Sequence, residues 1–186
     1  MPGRRSAVAI VSSVLLRSVG HDFRRCGVGV VRLAFSTAST ARGRSDPGLA
    51  TVVAVDLATD GPAIIDVIEA SRTDAFRGPS PPAVLAECRS RAGRQVQAWL
   101  ARHQGLPAGL ATLVTSSGRG GVRHSIGWLL VGAGCRRAGV GTALVATAVA
   151  RARRQGARTV WVETHDAWPG AVAFWEAIGF TIAGRT

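Results

Sequence analysis

The run Arg136-Arg137-Ala138-Gly139-Val140-Gly141 has the residue types of an anion site. Two arginines supply positive charge, and two glycines let the backbone come close to a ligand. An apolar stretch, Ile126 to Val131, precedes the run, and Thr142 to Gln155 follows it with the apolar spacing of a helix. A strand, a basic glycine turn and a helix N-terminus, in that order, aim unpaired amides and a positive dipole end at one spot. The expected occupant is a phosphate or pyrophosphate. Further along, Glu163, His165 and Asp166 fall near the tip of a second strand-like run, and His124 lies near the first. These four side chains are the candidates for taking a proton from a reacting group.

Other phosphate motifs fail on particular residues. A Walker loop needs a Lys after its second glycine, and the chain contains no Lys. Gly132-Ala133-Gly134 begins a dinucleotide fingerprint, but Arg137 stands where the third glycine belongs. Cys26, Cys88 and Cys135 are odd in number, widely spaced and without a CxxC pair. They point to a reducing compartment, with neither a disulfide framework nor a metal site.

The elements that must position these groups read from residue 50 onward. Thr51 to Asp56 is a β-branched first strand, and Gly61-Pro62 opens a helix with Ile64, Ile65 and Ile68 at helical spacing. The Pro-rich stretch 76–82 is a loop, and Ala83 to Ala92 a short second helix. Gln97 to His103 and Ala108 to Ser116 form an antiparallel pair, and Val122 to Val131 returns as the central strand. Leu144, Val145, Ala148, Val149 and Ala152 share one face of the helix from Thr142, with Gly156 placed to cap its end.

The pattern Arg136-x-x-Gly139-x-Gly141 resembles the acyl-CoA pyrophosphate loop of the GNAT superfamily of N-acetyltransferases. Its flanks strengthen the likeness. Trp128 to Val131 looks like the family's fourth strand, Thr142 to Gln155 its CoA-binding helix and Arg158 to Glu163 its fifth strand. Pro169 to Ile178 followed by Gly179-Phe180 looks like its fourth helix. The resemblance implies an α/β (α+β) GNAT fold, a mixed sheet of about six strands and about four helices, with strands four and five splayed. It also implies transfer of an acetyl group from acetyl-CoA to a small-molecule or peptide amine by direct attack.

In that scheme the backbone of Leu129, Leu130 and Val131 aligns the pantetheine. Amides from Arg136 through Arg137, Ala138, Gly139, Val140 and Gly141, with Thr142 Oγ, hold the pyrophosphate. Glu163 or His165 serves as base, with Glu163 read equally as pairing with a nearby Arg or binding a cationic acceptor, while Asp166 is read as a helix cap. The family's helix four often carries an Asn and an acid Tyr, and here the matching positions are Trp168 and Trp175. Indole donates a hydrogen bond but is no acid. Trp175 is read as packing, or as stacking beside the CoA arm. Those two tryptophans leave open a non-catalytic acyl-CoA-binding module.

Arg supplies all 23 positive charges against 11 acids. Residues 1–45 hold eight Arg and one acid, Asp22, with an apolar run from Ala7 to Leu16 that is too short to span a bilayer. Their composition fits an organellar leader or a frame extended upstream of the true start. Residues 1–45 are therefore expected to be disordered, and 46–186 to form the domain. Only Thr181 to Thr186 follow Gly179-Phe180, enough for a sixth strand and not a seventh, so the last edge is missing or comes from a partner in a homodimer. No specific nucleic-acid or membrane partner is indicated, and the expected setting is cytoplasmic.

Overall fold

The computed structural model describes residues 10–11, 29–38, 50–56, 59–72, 80–91, 96–118, 121–166 and 168–185. In chain order the elements are β1 (Ile10–Val11), β2 (Val30–Ser36), β3 (Thr51–Ala54), α1 (Gly61–Ser71) and α2 (Pro81–Arg91). Then come β4 (Val96–His103), β5 (Leu106–Gly118), β6 (Gly121–Val131), α3 (Val140–Arg154), β7 (Thr159–His165), α4 (Pro169–Ala177) and β8 (Thr181–Arg185). One mixed sheet runs β3-β4-β5-β6-β7-β2-β8, with β1 added to β6. Its one parallel pair among the described strands is β6–β7.

Local chemistry accounts for the elements near the site. Gln104 and Gly105 both take positive φ, 51° and 80°, which closes β4–β5 as a two-residue hairpin. Helix α3 buries Val140, Leu144, Val145, Ala148, Val149 and Ala152 on one side. It ends in a Schellman motif: Gly156 takes φ 80°, and the amides of Gly156 and Ala157 donate to the Arg153 and Ala152 carbonyls. Where α3 crosses β5, a Cβ on Gly109 would lie 2.9 Å from the Leu130 carbonyl, Leu144 Cδ1 and Val140 Cγ1. Gly109→Ala should therefore cost about 1–3 kcal/mol of overpacking, read as a lowered denaturation midpoint.

The sheet separates two cores. Helices α3 and α4 cover Leu33, Leu113, Ile126 and Val162, with Trp175 and Phe180 in the same cluster. On the opposite face Ile64, Val67, Ile68 and Leu85 pack on Leu100, Leu110, Trp128 and Leu130.

The expectation that residues 1–45 stand outside the fold fails at Val30–Ser36. That segment pairs antiparallel with β7 over its whole length, and with β8 on its other edge. Val31 and Leu33 are fully buried, and the Phe35 ring sits 5.2 Å from that of Phe180. The reason is a plain strand alternation: Val31, Leu33 and Phe35 face inward, Arg32, Ala34 and Ser36 the other way. Arg- and Ser-rich surroundings masked it. The strand thought missing, or lent by a partner, is supplied by the chain's own N-terminal side. Apart from Ile10–Val11, the apolar run Ala7 to Leu16 lies outside the described residues, as do most of the loop at 76–82 and Cys26.

Candidate functional site

Strands β6 and β7 pair only at His124–Val160 and Ser125–Trp161, and then diverge. The divergence begins at a bulge. Leu129 pairs with Ala111 and Ile126 with Leu113, so Gly127 and Trp128 together oppose Thr112. Thr112 Oγ1 accepts the Trp128 amide at 2.7 Å. The extra residue rotates the strand, so that Ile126 faces α3 while Trp128 and Leu130 face α1. A wedge opens between the strands, with Leu129, Leu130 and Val131 along one side. Ile10 and Val11 of β1 pair with Leu129 and Trp128 inside it.

At the end of β6 the Gly132 amide donates to the Ala108 carbonyl, and a 3-10 turn follows over Ala133–Cys135. Arg137 and Gly139 then take left-handed φ, 63° and 76°. Gly139 is the N-cap of α3 and brings no side-chain cap, so the first-turn amides face outward without one. Gly141 packs closely: a Cβ there would come within 3.3 Å of the Phe174 ring. Thr142 is half-buried in the same turn, and Ala138 sits beside it.

The two loop arginines differ. Arg136 is half-buried and points Nη2 at the Ser71 carbonyl, 3.4 Å away, which ties the loop to the end of α1. Burial lowers its pKa, although a guanidinium stays charged at neutral pH. Arg137 is exposed at the turn and is the better placed of the two to meet a phosphate.

Trp175 must be corrected as a CoA contact. It is fully buried, with rings of Phe180 and Phe174 at 4.9 and 5.2 Å. Its position in the α4 core leaves no face for stacking on a bound arm, so the packing reading holds. Trp175→Phe should cost about 1–3 kcal/mol in stability while leaving CoA affinity unchanged, by denaturation and calorimetry. Asp166 does not cap α4 either, because the N-cap position is Trp168 and no side chain caps it.

Glu163 and His165 lie on the same side of β7, with Trp161. Glu163 is buried, and its Oε1 accepts from Arg32 Nε at 3.0 Å, with Arg123 Nη2 at 4.0 Å. Neither arginine was singled out from the sequence. The readable signal was a charged residue set inside an apolar strand alternation. Arg123 also lies over the Trp161 ring, 4.8 Å from its centroid. His165 is buried at the tip of β7, edge-on to Trp168 at 4.7 Å. His124 sits far from the loop, at the closed foot of the wedge, with Nδ1 3.3 Å from Thr115 Oγ1.

Burial pulls both imidazoles below their ordinary value; at His165 the Gly29 backbone and Asp166 act in the opposite direction but do not offset it. The unfolded chain therefore binds these protons more readily. Stability should fall as pH drops through about 6.5 and level off below the folded-state values. Melting temperatures measured from about pH 7.5 to about pH 5 test this, and a flat profile would contradict it.

A family model described as acetyltransferase (GNAT) family matches residues 63–180. The chain belongs to that family. No curated protein matches this GNAT chain by sequence. Among solved structures it is similar to a GNAT-family acetyltransferase from Novosphingobium aromaticivorans, with TM-score 0.59 and 18% identity over 85% of this chain. The match spans 63% of that longer protein. It is also similar to the aminoglycoside N-acetyltransferase AAC(6')-Iy, solved with CoA, with TM-score 0.63, 15% identity and 74% and 91% of the two chains covered. A third is an aminoglycoside acetyltransferase from an uncultured soil metagenomic sample, solved with sisomicin: TM-score 0.58, 16% identity, 72% and 89% covered. At such identities these neighbours establish the fold of the GNAT chain. Among its described residues no group of three His, Cys, Asp or Glu could hold a metal, and no helix is long and apolar enough to cross a membrane.

Proposed function

We propose that this chain transfers an acetyl group from acetyl-CoA to an amine. The observation that carries the reading is the left-handed Gly139, which opens the first-turn amides of α3 beside the mouth of the β6–β7 wedge. In this reading Val140, Gly141 and Thr142, with Ala138, Gly139 and Arg137, hold the pyrophosphate, and Arg136 fixes the loop against α1. The edge of Leu129 to Val131 aligns the pantetheine, displacing Ile10 and Val11. The functional unit runs from Val30 to Arg185.

The amine nitrogen attacks the thioester carbonyl, a C–N bond forms, the C–S bond breaks, and the proton of the amine passes to a base. His165 fits that role better than Glu163. A carboxylate held at 3.0 Å by one guanidinium with a second nearby is a poor base, whereas burial keeps the His165 imidazole neutral, the form that can accept a proton. The departing thiolate takes its proton from solvent, since Trp175 offers none.

Thiol release with an amine panel tests the assignment. His165→Ala should lower kcat/KM by roughly 10²-fold, acting on kcat. Glu163→Gln should act mainly through KM, by releasing Arg32 and Arg123. The reverse pattern would make Glu163 the base. Trp at both positions 168 and 175 favours a second reading, a binder without turnover. It would be recognised by calorimetric CoA binding with no thiol released from any amine.

A further inference from the structure

The sheet face on which the wedge opens away from α3 carries a cationic floor. Helices α1 and α2 cover β4, β5 and the far half of β6, while the first residues of β6 and the strands β7 and β2 present Arg123, Ser125, Trp161, Glu163 and Arg32. Among the described residues there, one carboxylate, Glu163, stands against two guanidiniums. Both arginine side chains remain about two-fifths exposed, 43% for Arg32 and 39% for Arg123, and so face an incoming molecule.

Arg123 is the more telling. It is pinned over Trp161, and its Nε and Nη2 are buried without a hydrogen-bond acceptor among the described residues. The 4.0 Å to Glu163 is an ion-pair distance, too long for a hydrogen bond. A partly desolvated guanidinium favours an anionic partner, and a carboxylate approaching the exposed side of Arg123 supplies one. The same side chain borders an open cavity of about 500 Å³ at the foot of β6 and β7, which Arg158 and Gln155 also line. On the opposing wall α1 carries two acids, Asp66 and Glu69, and Glu69 lies 3.8 Å from Arg72.

We infer that the acceptor is an amine bearing a carboxylate, whose oxygens are held by Arg123 with Arg32 alongside while its amino group reaches into the wedge. This rests on the transferase reading above and narrows its substrate. A polycationic acceptor, the class named for AAC(6')-Iy, would meet like charge on this floor.

The test compares α-amino acids with their carboxamides and with polyamines, in thiol release from acetyl-CoA and, separately, in quenching of tryptophan fluorescence with protein loaded with CoA. Amino acids should exceed their carboxamides by tenfold or more in kcat/KM, with polyamines weakest. Arg123→Gln should erase that preference and Arg123→Lys keep part of it. Equal or better turnover of carboxamides or polyamines overturns the inference. Carboxylate-selective quenching that depends on Arg123, with no thiol released, upholds the inference and removes the transferase reading. Neither selective quenching nor selective turnover removes the inference alone.

Discussion

Deletion of residues 1–45 should leave no folded protein, whereas deletion of residues 1–28 should leave the sheet intact. The longer cut removes β2, and with it Val31, Leu33 and Phe35, all buried. A single buried Leu→Ala costs about 2–5 kcal/mol. Three such losses, plus two hydrogen-bonded ladders and exposure of the inner edges of β7 and β8, match or exceed the roughly 5–15 kcal/mol that holds a domain together. The shorter cut spares all of that. It also removes Ile10 and Val11 from the β6 edge, so CoA affinity should equal or exceed that of the full chain. Circular dichroism melts and calorimetry on the two truncations decide the matter. A cooperative melt in the longer deletion would mean that β2 is dispensable, and Leu33→Ala alone should already lower stability by about 2–5 kcal/mol.

Gly139→Val should abolish acyl-CoA binding, with more than a hundredfold loss in affinity. A β-branched side chain disfavours the left-handed φ of 76° found there, and the turn must rearrange to escape it. No heavy atom lies within 4 Å of a Cβ at this position, so conformation drives the effect and global stability should change little. Gly139→Asn is the control, because Asn adopts left-handed φ at low cost and should retain most binding. Calorimetry with CoA on both variants reads the difference. Unchanged affinity in folded Gly139→Val would detach the loop from the cofactor.

The phosphate loop was legible because its chemistry is local. Glycine turns, charge and a helix start are contiguous from Arg136 to Thr142, and no distant contact is needed to read them. The elements from residue 51 to residue 185 were legible for the same reason, through spacing and turn residues, with ends displaced by only a few positions. The role of β2 was not, because seven residues of alternation gain meaning only from partners far along the chain. Trp175 could not be assigned to core or ligand from its type, since both uses want an aromatic at helical spacing. Glu163 at its strand tip read equally as a base or as the partner of an Arg, but which arginines occupy it was not legible, because they come from two other strands. Their convergence is a property of the sheet order.

The same strand order sets a timetable. Arg32 and Glu163 are separated by 131 positions, yet they bond side by side. During synthesis β2 leaves the ribosome early and finds no partner until β7 and β8 have followed it. The first hairpins of the sheet, β4 to β6, form from neighbouring sequence and need not wait. Assembly therefore ends where translation nearly began: the nascent chain carries an unpaired, apolar strand through most of its synthesis, and the last step threads it between two edges that would otherwise be open to aggregation.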